Sequence, residues 1–441
     1  MIPTRKVYLL LTLGIILAPA IASFTKVSTG IAVILLYDAV ILTLMIIDSL
    51  RVRRSRVDVT RELPPRLSIG RDNPVKLEVK STTANTWVQI CDYYPNTISL
   101  NQFLLRIKVE KNTTSEVIYT AFPTKRGEFD WGNLQIRQLG AWGFAWNNWK
   151  VPQSLKVKVY PDLIGLRSLS IRLTLQSSGS MRQFRQLGIG TEFSELRNYR
   201  SGDDLRLVDW KATARRVGAS GNTSPLVRVL EPEQEQTLLI LLDRGRLMTA
   251  QVQGLQRFDW GLNATLSLAL AGLNRGDKVG VGVFDRQIHT WIPPERGQHQ
   301  LSHLIDRLTP IQPVLLESDY VGAVTHVVQK QTRRCLIVVI TDIIDATASA
   351  ELLSALSRLT PRYLSFCVAL RDPQVDTIAR TFTEDGQGAY TRAVALDLMA
   401  QRQVAFAKLK GRGVLVLDAP ANQISDELVE KYLQLKARNQ L

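Results

Sequence analysis

Two runs constrain the fold more than anything else in the chain: Thr237-Leu-Leu-Ile-Leu-Leu-Asp243 and Arg334-Cys-Leu-Ile-Val-Val-Ile-Thr-Asp342. Each is apolar for the length of a strand and then ends in a carboxylate. A strand can be apolar on both faces only where both faces are covered, which crossover helices achieve in parallel sheets. The intervening pattern fits. Helical periodicity covers Phe258–Leu273, Gln300–Leu308, Asp319–Gln331, Ala350–Leu359, Tyr390–Lys410 and Ile424–Arg438. Further strands are expected at Lys278–Phe284, Ile288–Ile292, Tyr363–Leu370 and Val414–Leu417. Residues 237–441 are therefore expected to form a doubly wound, Rossmann-type α/β domain. Ligands of such sheets bind beyond the carboxyl ends of the strands, so Asp243 and Asp342 are expected to face one crevice.

The N-terminus follows a different rule. Apolar segments at Val7–Phe24 and Gly30–Ile47 each approach the ~20 residues that a membrane helix needs. Only Lys26 is charged in the short connector, so residues 1–56 read as a transmembrane helical hairpin. Arg51, Arg53, Arg54 and Arg56 follow the second span and Arg5-Lys6 precedes the first, which places the body in the cytoplasm. The expected location is the inner (plasma) membrane, with two passes. Ala20-Ile21-Ala22 also resembles a cleavage box; were it used, the second span would still hold the body inside. Asp38 in the second span calls for a polar partner or a place between the helices.

Residues 57–161 change to short alternating runs, such as Val75–Val79, Leu105–Val109 and Leu155–Val159, separated by Gly, Pro, Asn and Asp. A small antiparallel β-sandwich is expected. Trp131, Trp142, Trp146 and Trp149 gather there near glycines and read as sheet packing in preference to a carbohydrate site. Cys91, Cys335 and Cys367 are widely spaced and suggest reduced thiols, with neither a disulfide framework nor metal spacing. Four histidines without zinc spacing do not build a site.

Residues 162–236 read as a polar connector followed by one dense stretch, 190–216, GTEFSELRNYRSGDDLRLVDWKATARR. Ser201-Gly202-Asp203-Asp204 is a turn signal, and charges fall on every face. The stretch resembles the signature of the bacterial family known as domain of unknown function 58. Arg197, Tyr199, Gly202, Asp203, Asp204, Arg206, Asp209, Trp210 and Arg215 occupy its motif positions. The resemblance implies a membrane-associated protein working with a MoxR-type AAA+ ATPase in assembling or maturing other proteins.

Residues 237–370 also resemble a von Willebrand A-like domain, in which Asp-x-Ser-x-Ser, a middle-loop Thr and a later Asp hold Mg²⁺. Here Gly245 and Leu247 stand in the serine positions, while Asp319 or Ser318 occupies the threonine region. The resemblance implies a degenerate metal site at Asp243, Asp319 and Asp342. Either the carboxylates hold Mg²⁺ weakly with water, or Arg244 or Arg246 neutralises them.

These readings point to a non-enzymatic, membrane-anchored interaction or scaffold protein with a protein partner. Two alternatives remain. One is a metal-dependent phosphoesterase using the aspartates, for which no nucleophile motif is present. The other is a nucleic-acid binder, suggested by the net charge of +15 but lacking a recognition-helix or aromatic RNA-binding signature. A phosphate-binding Gly-x-x-x-x-Gly-Lys-Ser/Thr loop is absent from the sequence, so ATP chemistry would belong to the partner.

Overall fold

The computed structural model describes the chain except residues 25–26, 83–84, 181–191, 221–223, 232–235, 345–346, 348, 383–384 and 439–441. Lys26 and the opening Gly190-Thr191 of the signature therefore lie outside the described residues. The chain divides into two units, Met1–Asp162 and Leu163–Leu441.

The first unit begins with helices α1 (Arg5–Phe24) and α2 (Val27–Arg54). Among the described residues, Gly30–Arg54 is the one helical stretch long and apolar enough to cross a membrane. Tyr37 of α2 donates its hydroxyl to the Leu10 carbonyl of α1 at 3.2 Å, and Asp38 lies beside Gly14. Ile2–Pro3, ahead of α1, and the chain after α2 form a five-stranded, a four-stranded and a three-stranded sheet. The alternation is as strict as the sequence demands. In Asn73–Ser81 every second residue is buried, including Val75, Leu77 and Val79, while the positions between them are partly or fully exposed. Trp131 is wholly buried, whereas Trp142 is 40% exposed, so the tryptophans do not form one packed cluster.

The second unit opens with a difference from the sequence reading. Residues 163–180, expected as part of a polar connector, form helix α3 (Leu163–Ser180). The reason is spacing: Leu166, Leu169 and Leu173 recur every three or four residues and enter the core. The polar residues on the other face mask that stripe in composition. Next comes an antiparallel hairpin of Glu192–Asn198 with Leu226–Glu231, enclosing helix α4 (Trp210–Ser220).

A six-stranded sheet follows. Its spatial order is Ile288–Glu295, Lys278–Phe284, Thr237–Asp243, Leu336–Thr341, Leu364–Arg371, Leu415–Pro420. All neighbours are parallel except the first pair. The connecting helices are α5 (Arg257–Asn274), α6 (Gln298–Leu308), α7 (Tyr320–Lys330), α8 (Ala350–Leu359), α9 (Pro373–Arg380) and α10 (Gly386–Gly411). Helix α11 (Ile424–Ala437) closes the chain. Leu238, Ile240 and Leu242 point into a core with α3, α5, α6 and α11. Leu239 and Leu241 point the other way, into a core with α7, α8 and α10. This two-sided cover is why the strand is apolar throughout. The strand order reverses at Thr237–Asp243, and the switch point places Asp243 and Asp342 at the same end of the sheet.

One polar cluster lies inside the β-rich first unit. Arg61 donates to Asp92 at 2.6 Å, Trp131 Nε1 donates to it at 3.0 Å, and the Tyr119 hydroxyl donates to its second oxygen. Burial pushes the Asp92 carboxyl up against the opposing effect of Arg61. Removing one member leaves a charge without its counter-ion. Asp92→Ala is therefore expected to cost about 3–5 kcal/mol. Urea denaturation of the detergent-solubilised chain, followed by tryptophan fluorescence, measures it. A loss below about 1 kcal/mol would show that Arg61 finds another partner.

Candidate functional site

The dense polar stretch folds as a capped hairpin. Its first strand presents Arg197, whose guanidinium donates to both oxygens of Asp203 at 2.7 and 2.5 Å. Asp203 also accepts the Arg200 amide at 2.7 Å, closing the Ser201-Gly202 turn. The hydrogen bond from Arg197, joined by that amide, holds the Asp203 carboxyl below the usual range. Asp204 caps the single 3₁₀ turn Leu205–Leu207 by accepting the Arg206 amide at 2.9 Å. Asp209 accepts the Ala212 amide at 3.0 Å at the start of α4 and the Arg228 Nε at 2.9 Å. The Ala212 amide and then Arg228 hold its pKa down.

Thus Arg197 and Asp203 meet, as do Asp204 and Arg206 through the backbone. Arg228, absent from the sequence-derived set, is the partner of Asp209 because Leu226–Glu231 runs antiparallel beside the signature strand. Tyr199 is held by its amide, which donates to Pro225 O at 2.8 Å. Arg215 is exposed. Leu205 and Trp210, each 65% exposed, stand out on this surface. Leu205 was missed because a lone leucine among charges carries no periodic signal.

The crevice at the end of the sheet differs from a cation cage. Asp243 is wholly buried. One of its oxygens accepts the Gly245 amide at 2.8 Å and the Ser318 hydroxyl at 2.5 Å; the other accepts Tyr320 at 2.9 Å and Thr341 at 2.7 Å. Any side chain at 245 would collide with Ser318 Oγ, so the glycine makes room for a hydroxyl delivered by another loop. Desolvation pushes the Asp243 carboxyl up, against the pull of these donors. Asp342 pairs at 2.7 Å with both Arg257 and Arg402. Asp319 caps α7 by accepting the Gly322 amide at 2.7 Å.

The neutralising arginines are therefore not those adjacent in sequence. Arg244 pairs instead with Asp285 and Arg246 with Glu317. As arranged, these donors do not fit a hard divalent cation: the lone pairs of Asp243 are filled by protein donors and Asp342 faces two cations. Among the described residues, no group of three or more His, Cys, Asp or Glu is placed to hold a metal.

Most of the hairpin and the crevice aspartates fall within one matched segment. The family described as "Protein of unknown function DUF58" matches residues 195–385. Over those residues the chain is similar to the DUF58 family. Curated relatives include uncharacterized protein Mb1516 of Mycobacterium bovis and uncharacterized protein Rv1480 of Mycobacterium tuberculosis. Each is 23% identical over 215 residues, 48% of this chain. The match spans 65% of the length of either relative. Among solved structures, BatB from Bacteroides thetaiotaomicron is 13% identical, with 46% of this chain and 99% of that one covered and a TM-score of 0.31. An aerotolerance-related membrane protein from Bacteroides fragilis is 18% identical, with 45% and 99% covered and a TM-score of 0.31.

The filled crevice sets how the chain responds to a divalent cation and to pH. Occupancy stabilises a protein in proportion to the logarithm of ligand over Kd, so a tight site would respond visibly to millimolar ion. With the oxygens already satisfied, Mg²⁺ is expected to raise the Tm of the full chain by no more than about 1 °C. A larger shift abolished by Asp243→Ala would show that the hydroxyls rotate aside for the ion.

The second prediction concerns pH. Asp243 has a raised folded-state pKa, so its contribution is fully present below the ordinary 3.8 and is lost as pH rises through the folded value. Asp203 and Asp209 are depressed and act oppositely, stabilising above 3.8 and losing that effect as pH falls. Asp243→Asn is expected to gain Tm relative to the parent as pH is raised from about 4 to 7. A Tm difference independent of pH would mean that Asp243 titrates as it does when unfolded.

Proposed function

We propose that this chain is a membrane-anchored docking protein whose DUF58 segment presents the Leu205–Trp210 surface to a protein partner. The observation that carries this reading is the contrast within the hairpin. Its carboxylates are turned inward upon Arg197, Arg228 and backbone amides, while two large apolar side chains stay in solvent. Part-exposed ion pairs and backbone bonds hold the turn; exposed Trp and Leu among basic residues supply the anchor that interfaces favour. Arg200, Arg206 and Lys211 flank them, so the complementary surface is acidic.

In this reading α1 and α2 form a two-pass hairpin in the plasma membrane with the body in the cytoplasm. The apolar length of α2 and the arginines at its end support that orientation. The strand order and the aspartate-ended strands support a von Willebrand A-like domain with a degenerate metal site. The partner is proposed to be an AAA+ ATPase of the MoxR type, as the DUF58 resemblance implies.

Crosslinking and affinity recovery from native membranes test the proposal. The parent is expected to recover an AAA+ ATPase. Trp210→Ala is expected to reduce recovery about tenfold or more without altering Tm, because Trp210 is exposed. Equal recovery by parent and variant would remove this surface from the interface.

A further inference from the structure

Both ends of the N-terminal helix pair meet a single turn, Gly140–Phe144. Ahead of α1, Ile2 and Pro3 pair with Trp146 and Ala145 in an antiparallel sheet. Thr4 then bonds twice to the turn, its hydroxyl donating to Gly143 O at 2.8 Å and its amide to Phe144 O at 3.0 Å. Nearly two turns before the end of α2, Asp48 is fully buried and accepts the amides of Trp142, Phe144 and Ala145 at 3.1, 3.0 and 3.4 Å. Residue 140 must be glycine, because a Cβ there would run into that carboxylate. Ser49 and Asn147 add a reciprocal pair of bonds at 3.2 and 2.7 Å. A buried carboxylate with three amide donors, beside a helix end tied by side chains, fixes the turn to the helices as one body.

What surrounds this joint is cationic and aromatic. Arg5, Lys6, Arg51, Arg53, Arg54 and Arg56 are all exposed at the level where the apolar helices begin and end. The Arg51 guanidinium lies 4.2 Å from the centre of the Trp142 ring, and Arg56 lies 5.3 Å from that of Trp149. Tryptophan with an apolar body and a polar edge favours the headgroup level of a bilayer, and clustered arginines there favour anionic lipid.

We propose that the Gly140–Phe144 turn and its ring of cations form a lipid-headgroup platform. Trp142 lies in the membrane interface and the arginines bind the phosphates of anionic lipids. The platform rests on the membrane anchoring proposed above and adds to it the lipid class and the residues that read it. Its effect is mechanical as well as chemical. Because Asp48 locks the turn to α2, headgroup contacts at Trp142 hold the β-rich unit at a fixed height and angle on the bilayer.

The test uses the full chain in phosphatidylcholine vesicles with and without phosphatidylglycerol. A nitroxide on the lipid headgroup is expected to quench a tryptophan component that disappears in Trp142→Phe, whereas a mid-chain nitroxide leaves it bright. Spin-labelled phosphatidylglycerol is expected to associate about fivefold more strongly than phosphatidylcholine at low salt. That preference is lost in the Arg51→Gln/Arg53→Gln/Arg54→Gln variant. Quenching unchanged by Trp142→Phe, or equal association of the two lipids with the parent, would overturn the platform. Alkaline carbonate extraction decides anchoring separately. Retention without Trp142 quenching overturns the platform alone, while release with quenching preserved overturns the anchor and upholds the platform.

Discussion

The architecture of the second unit depends on one constraint, the burial of a strand that ends in a charge. Thr237–Asp243 is covered on both faces, so its terminal carboxylate has no water to turn to. An isolated ionised carboxylate in such a place would be prohibitively costly. The fold answers by bringing Ser318 from the loop before α7, Tyr320 from the first residue of α7 and Thr341 from the neighbouring strand. Those groups come from three places in the sequence, and their convergence fixes the loop, the helix start and the strand register together. Tyr320 also packs edge-on against Phe284, 5.7 Å between ring centres, tying the second strand to the same point.

Beside this neutral-donor site runs a ladder of opposite charges. Arg257 and Arg402 flank Asp342; Arg402 continues to Asp418 at 3.0 Å, Asp418 to Arg371 at 2.8 Å, and Arg371 to Asp376 at 3.0 Å. The ladder crosses the carboxyl ends of three strands and joins α5, α9 and α10. Pairs buried this deeply contribute little net stability against an apolar replacement, because desolvation offsets attraction. They do impose geometry: α10 has only Ala395, Ala405, Phe406 and Leu409 fully buried, so Arg402 fixes where along its length it docks. Guanidinium groups balance Asp342 and Asp418, whereas Asp243 is held by an amide and hydroxyls.

How much of this was legible in the sequence varies with the range of the interaction. The strands and helices of the sheet were readable because burial on both faces writes a local pattern, as at Leu238–Leu242 and Leu336–Thr341. Helix α3 was misread because its stripe of Leu166, Leu169 and Leu173 is narrow and its other face polar. The aspartates of the crevice were visible as strand-ending charges, but their partners were not. Adjacent Arg244 and Arg246 looked suited to neutralise them, yet they pair with Asp285 and Glu317. Arg257 and Arg402 arrive from two helices, and nothing local to either marks it as a partner of Asp342. The hairpin carries the same lesson: the Arg197–Asp203 pair is local and was within reach of sequence reasoning, whereas Arg228 becomes visible only with the strand pairing.

The net charge of +15 takes on a different meaning once the acids are placed. Asp48, Asp92, Asp243, Asp277 and Asp342 are all nearly or fully buried. Each is engaged from within: Asp92 by Arg61, Asp277 by Lys436 and the Tyr432 hydroxyl, Asp342 by two arginines, and Asp48 and Asp243 by amides and hydroxyls. Arg61, Arg257, Arg402 and Lys436 are drawn inside with these acids, so the surface keeps roughly the cationic excess of the composition. A bare excess of charge would suit any polyanion, with long-range attraction that fades at moderate salt. The exposed cations of this chain instead stand beside apolar groups, at the end of α2 with Trp142 and on the hairpin with Leu205 and Trp210. Charge set against an apolar anchor in this way favours ordered surfaces that offer both contacts, which is the ground for the bilayer and protein partners proposed above.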